Sequence, residues 1–167
     1  MRTTLDLLII IAVLSTTVIS GCVSVSIQTP KISKSKDILF VPPGEPFKSI
    51  KNETVDSAWQ STKNGNTLAF LSECSEKHDP ALKTMESENL SALTNLQIIS
   101  STTAVFNDRE SLETTVDGLV DGIPIRMSLL LFKKNGCSFT ITYVGRQKYF
   151  DNNKNIYEVF KKEFKLP

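Results

Sequence analysis

Histidine occurs once in this chain of 167 residues, at His78, and tryptophan once, at Trp59. Histidine is the side chain that most readily exchanges a proton near neutral pH, and it is a frequent metal ligand. A chain with one of them offers little for a multi-histidine centre. Cysteine is also scarce: Cys22, Cys74 and Cys137, with no Cys-x-x-Cys pair of the kind zinc sites use. Neither a Walker A loop nor Gly-x-Gly-x-x-Gly occurs, so the loops that cradle phosphates and dinucleotides are missing. No Gly-x-Ser-x-Gly marks a hydrolase nucleophile. Neither sign of charge prevails. Nineteen Lys and Arg stand against eighteen Asp and Glu, a net charge of +1, and no global field gathers nucleic acid. No apolar run reaches the ~20 residues of a spanning helix, and there is no internal repeat.

What is present starts at the N-terminus. Arg2 gives a positive start, and Leu7 to Leu14 is an apolar core of signal-peptide length, although Asp6 beside it is atypical. The run turns polar at Ser15, Thr16 and Thr17, and Ile19-Ser20-Gly21-Cys22 follows. This stretch resembles the lipobox of bacterial lipoproteins. The resemblance implies that residues 1–21 are removed as a signal peptide, that Cys22 carries lipid, and that the rest hangs from a membrane. Val23 stands where an inner-membrane retention signal of the enterobacterial type would place aspartate. The expected address is therefore the cell envelope, with the periplasmic face of the outer membrane favoured. Residues 22–37 are polar and read as a flexible tether, reaching roughly 50 Å at about 3.3 Å per residue.

Residues 38–167 are expected to form one globular α+β domain, long enough for a real core and, at 40% hydrophobic residues, not disordered. Ile38 to Val41 is a short apolar run stopped by Pro42-Pro43-Gly44. Val55 to Ser61 and Thr67 to Cys74 read as strands around an Asn64-Gly65 hairpin signal. Asp79-Pro80 reads as a helix start. Leu82, Met85, Leu90, Leu93 and Leu96 fall within about 140° of arc, predicting one buried helix face that ends near Gln97. Ile98 to Phe106, Leu112 to Val120, Ile123 to Phe132 and Cys137 to Val144 read as strands. Asn107-Asp108, Asp121-Gly122 and Asn135-Gly136 mark their turns. A last helix, capped by Asp151, would bury Ile156, Val159, Phe160 and Phe164 and expose Lys154, Glu158, Lys161 and Lys165. The order β-β-α-β-β-β-β-α implies a single antiparallel sheet with helices packed on it. Across roughly residues 50–165 that order is similar to the PsbP-like α/β/α sandwich, which implies a non-catalytic binding or assembly domain.

If Cys22 is acylated, Cys74 and Cys137 remain as an even pair in an oxidising compartment. Cys74 shares a strand face with Leu68 and Phe70, and Cys137 one with Phe139 and Ile141, so both thiols are expected on the same core side, joined as a disulfide. His78 is expected in a loop. Metal ligation by Cys74, Glu76, His78 and Asp79 lacks a ligand pattern, and no metal or cofactor is expected. Asp117 and Asp121 are four apart, wider than calcium loops use. Asp108, Arg109 and Glu110 read as a solvated turn. The function these features favour is a membrane-anchored, non-catalytic domain with a protein partner, in contact with the membrane through lipid on Cys22. Two alternatives stay open: an envelope enzyme using Cys74 or a serine with His78, and a carrier of a small ligand or lipid.

Overall fold

The computed structural model describes residues 32–75 and 79–167. Three short strands open the domain: β1 (Phe47–Ile50), β2 (Ser57–Ser61) and β3 (Thr67–Cys74). Helix α1 (Leu82–Leu90) follows, then four longer strands, β4 (Thr94–Phe106), β5 (Arg109–Val120), β6 (Ile123–Lys134) and β7 (Cys137–Arg146). A 3-10 segment, Gln147–Asn153, leads into α2 (Lys154–Glu163). All seven strands form one antiparallel sheet in the order β1-β2-β3-β7-β6-β5-β4.

The meander from β4 to β7 is set by its turns. Asn107-Asp108, Asp121-Gly122 and Asn135-Gly136 have positive φ at both positions, between 50° and 77°. That is the conformation whose twist matches the flanking strands in a two-residue hairpin. Asn64-Gly65 behaves differently. Only Gly65 has positive φ, and the connection from Ser61 to Thr67 is a longer loop closed by Ser61 N–H to the Asn66 carbonyl at 2.8 Å.

Alternation along β6 divides the core. Leu130 and Phe132 point to one face, where they join Trp59, Phe70, Phe139, Tyr143 and the α2 residues Tyr157, Phe160 and Phe164. Ile125, Leu129 and Leu131 point to the other, against Met85 and Leu90 of α1. One helix thus covers each face. The α2 side is aromatic: Phe132 stacks on Phe139 at 4.9 Å, and Tyr143 on Tyr157 at 5.4 Å.

Several elements differ from the sequence reading. The helix expected to reach Gln97 ends at Leu90, and Leu96 and Gln97 lie in β4. Asn95 takes a left-handed conformation (φ 51°) at the entry to that strand, which no helix interior tolerates. The α1 N-cap is Ala81, not Asp79, whose carboxylate instead receives Lys133 at 2.7 Å. Asp151 lies inside the 3-10 segment, and Asn153 holds the cap position of α2. The buried stripe of α2 is rotated: Tyr157, Phe160 and Lys161 are buried while Val159 is 56% exposed. β1 is an additional edge strand, hidden in the sequence behind Pro42-Pro43 and Pro46. The apolar run Ile123 to Phe132, the natural candidate for the middle of the sheet, lies one place from it in β6, and β7 is the middle strand.

Residues 33–40 lie on the domain, although the expected tether ran to residue 37. Ser33 exchanges backbone hydrogen bonds with Cys74 at 2.8 and 3.1 Å, and Leu39 with Lys165 at 2.8 and 2.9 Å. The Ser35 N–H donates to Ser72 Oγ, and Lys34 pairs with Asp56. Phe40 completes the aromatic core, 4.9 Å from Phe70 and 5.7 Å from Trp59.

Candidate functional site

The aromatic face is closed over only part of the sheet. The buried side chains of α2 meet β2, β3, β7 and β6, and apart from Phe106 none of their apolar neighbours comes from β4 or β5. Over the last two strands the same face is open, and a groove of about 690 Å³ runs between them and α2. Its apolar floor is Leu130, Leu166 and Phe106. Its rim carries Asp108, Glu158, Lys162 and Lys165. Asn107 closes one end, donating to the Phe164 carbonyl and accepting from the Leu166 N–H, each at 3.1 Å.

Lys161 forms the wall. Its ammonium donates to Glu113 of β5 and lies 2.9 Å from Glu158, and it sits 4.5 Å above the Tyr157 ring. A buried cation held by two carboxylates and an aromatic face fastens α2 to β5. Burial, and then the charges of Glu113 and Glu158, hold the Tyr157 hydroxyl well above its ordinary pKa, so it stays protonated.

Other sequence-named residues are occupied elsewhere. Cys74 and Cys137 are joined, as directly opposed residues of β3 and β7. Bonded in this way, Cys74 is not a nucleophile, so the thiol form of the enzyme alternative does not hold for this state. His78 and Glu76 lie outside the described residues, as do the signal peptide, Cys22 and residues 23–31 of the expected tether. Among the described residues no cluster of three His, Cys, Asp or Glu is placed to hold a metal ion. Asp117 is gripped at both oxygens by Arg126, at 2.7 and 2.9 Å, and by Gln147 at 2.7 Å. The Arg126 hydrogen bond, outweighing burial, keeps that carboxyl below its usual range. Asp121 is a turn residue, and Asp108, beyond β4, belongs to the groove rim.

On the opposite face, Glu86 of α1 is buried and accepts from Thr114 of β5, from Ser101 of β4 at 3.3 Å and from Lys83 at 2.8 Å. Burial pushes this carboxyl up, but the Lys83 and Thr114 bonds win and hold it below its ordinary value. The sequence reading missed both Lys161–Glu113 and Glu86. A signal existed for the first pair: Lys161 is four residues from Tyr157 and three from Phe164, on the same stripe.

This antiparallel seven-stranded sheet with a helix on each face is similar to the PsbP-like sandwich. Among solved structures, cyanobacterial PsbP (CyanoP) from Synechocystis sp. PCC 6803 matches with a TM-score of 0.56 and 10% identity. That match covers 89% of this chain and 99% of CyanoP. LpqN, a protein involved in cell envelope biogenesis of Mycobacterium tuberculosis, matches with a TM-score of 0.60 and 9% identity, over 83% of this chain and 85% of LpqN. At such identities the likeness is one of fold. No family model and no curated protein sequence matches the chain. Among the described residues no helix is long and apolar enough to cross a membrane.

Proposed function

We propose that this chain is a lipid-anchored protein of the bacterial cell envelope whose domain binds a protein partner, without catalysis, in the groove between α2 and the β4–β5 wing. The observation that carries the reading is the groove's make-up. An apolar floor of Leu130, Leu166 and Phe106 inside a charged rim is the anatomy of a protein-binding patch. The groove is bordered by the exposed residues Asp108, Lys162 and Lys165 rather than enclosed by apolar walls, which suits a surface loop or helix better than a lipid chain. The envelope address rests on the lipobox-like Ile19-Ser20-Gly21-Cys22, and the fold shared with LpqN is compatible with it.

In this reading residues 1–21 are a signal peptide, Cys22 carries the lipid, and the tether meets the domain at Ser33, which is held against Cys74. The tether leaves the domain at the disulfide end of the sheet.

Two experiments address the two parts separately. Cys22→Ala in the full chain is expected to abolish fatty-acid labelling and to release the protein from the membrane fraction or leave it as a precursor. Labelling that persists contradicts the anchor. Lys162→Glu with Lys165→Glu reverses the basic rim at exposed positions. It is expected to dissociate the complex seen by native electrophoresis of gently solubilised envelopes while the melting temperature stays unchanged. An intact complex contradicts the groove.

A further inference from the structure

The two edges of the sheet are built differently. β1 is four residues long, follows Pro46 and contains Lys48, features that discourage an added strand. β4 at the other edge is thirteen residues long and contains no charged residue and no proline. Twelve of its residues, Thr94 to Val105, are exposed, and Val105 is 78% exposed. Register shifts between Thr94 and Gln97 and between Ile98 and Ser100 distort its first half, leaving Ser100 to Phe106 as regular ladder. Asn107-Asp108 is a two-residue turn, so Phe106 and Arg109 form a hydrogen-bonded pair. By alternation Ala104, Thr102 and Ser100 also bond to β5. Ser101, Thr103 and Val105 turn their N–H and C=O groups to the open side.

We infer that this edge pairs antiparallel with the same edge of a second copy of the chain, with Thr103 on the two-fold axis. Ser101 then opposes the partner's Val105, Thr103 the partner's Thr103, and Val105 the partner's Ser101, giving six backbone hydrogen bonds. The occupant is argued from charge and symmetry. An uncharged strand laid against its own copy meets no like charge in any register, and the whole chain carries only +1, so two copies approach without repulsion. A charged strand would find no charged side chain on Ser100 to Phe106 itself, only the exposed Lys83 beside Ser101. The arrangement is isologous and closes on itself, and the blunted β1 edge stops further growth. Thr102, Thr103 and Val105 are β-branched, the residue type that packs best across paired strands. Seven residues a side is well short of the ~20–30 of a standard interface, so the dimer is weak and concentration-dependent. This inference does not rest on the groove.

The test uses the full chain in detergent, followed by sedimentation velocity over a concentration series. A monomer–dimer equilibrium is expected. Val105→Lys, at an exposed position, sets an ammonium opposite the partner's Ser101, whose hydroxyl accepts from Lys83 at 3.2 Å, and is expected to weaken the dimer about tenfold or more. Thr103→Pro removes an outward N–H while leaving the β5 ladder intact, and is expected to do the same. If the proline variant fails to fold, Val105→Lys carries the test alone. In membranes, Thr103→Cys is expected to give a disulfide-linked dimer, whereas Glu53→Cys, away from the edge, does not. Monomer at every concentration up to about 1 mM overturns the inference. So does a dimer that survives the folded variants, or cross-linking at Thr103→Cys no greater than at Glu53→Cys.

Discussion

The sheet half under α2 and the β4–β5 wing present one continuous face in two conditions. Under the helix, Trp59, Phe70, Phe132, Phe139, Tyr143, Phe160 and Phe164 interlock, most of them with almost no exposure. On the wing the same face carries Ser111, Glu113 and Ala104 along an open groove, bordered by an exposed strand. Both regions are antiparallel strands of one sheet, and what separates them on this face is the side chains that alternation sends there. Aromatic payload closes one half and fixes the fold, whereas small and charged residues leave the other open and available to a partner.

The largest expected contrast comes from truncating one residue in each region. Phe160→Ala removes a ring that contacts Phe40, Trp59, Phe70 and Phe164. It is expected to cost about 3–5 kcal/mol. Val105→Ala on the wing is expected to stay within about 0.5 kcal/mol. Denaturant midpoints of both variants check this, and similar losses would erase the distinction. Next comes the bridge between β3 and β7, which closes a loop of 63 positions that contains the β4–β5 wing. Replacing both Cys74 and Cys137 by alanine is expected to cost about 4 kcal/mol on chain-entropy grounds, a large share of a typical ~5–15 kcal/mol. Thiol counting on unfolded, unreduced protein, excluding Cys22, is expected to find none free. Asn66 is smaller in effect. Its amide donates to the Tyr143 hydroxyl and the Tyr149 carbonyl, each at 2.8 Å, so Asn66→Ala is expected to cost about 1–3 kcal/mol in thermal melts.

The smallest effect is on pH dependence and concerns the wing. Glu86 bonds to Ser101 and Thr114, and its folded pKa lies below its ordinary 4.5. A depressed carboxyl adds stability above its unfolded pKa and loses it as pH falls through the folded value. Asp117, also depressed, acts from 3.8 downward. Stability is therefore expected to show no contribution to its pH slope from these groups between pH 7 and 6, and to fall below about pH 4.5. Glu86→Gln should reduce that fall by its own share. An unchanged slope in the variant would remove Glu86 from the account.

Legibility followed the same division. The strands of the sealed half and the meander announced themselves through alternation and through Asp-Gly and Asn-Gly turns, because those signals are local. The faces of Cys74 and Cys137 were readable from Leu68, Phe70, Phe139 and Ile141 for the same reason. Leu96 misled because its spacing continues a helical stripe, although the helix has ended at Leu90 and the left-handed Asn95 already belongs to β4. Lys161 misled because a lysine on an apolar stripe reads as a solvent residue until Glu113, 48 positions earlier, is seen beside it. The groove was not legible at all. It exists because the rings of α2 pack on β2, β3, β6 and β7 and leave the face of β5 and β4 uncovered, and that is a matter of packing rather than pattern.

The most direct test of the groove as the partner-binding face is site-specific photo-cross-linking in the full chain on intact envelopes. A photoreactive residue in place of Lys162, on the groove rim, is compared with one in place of Lys63, in the exposed loop beside the sealed half. The account predicts one discrete adduct with a different protein from position 162 and none from position 63. Equal adducts from both positions, or adducts from 162 with this chain alone, would contradict it.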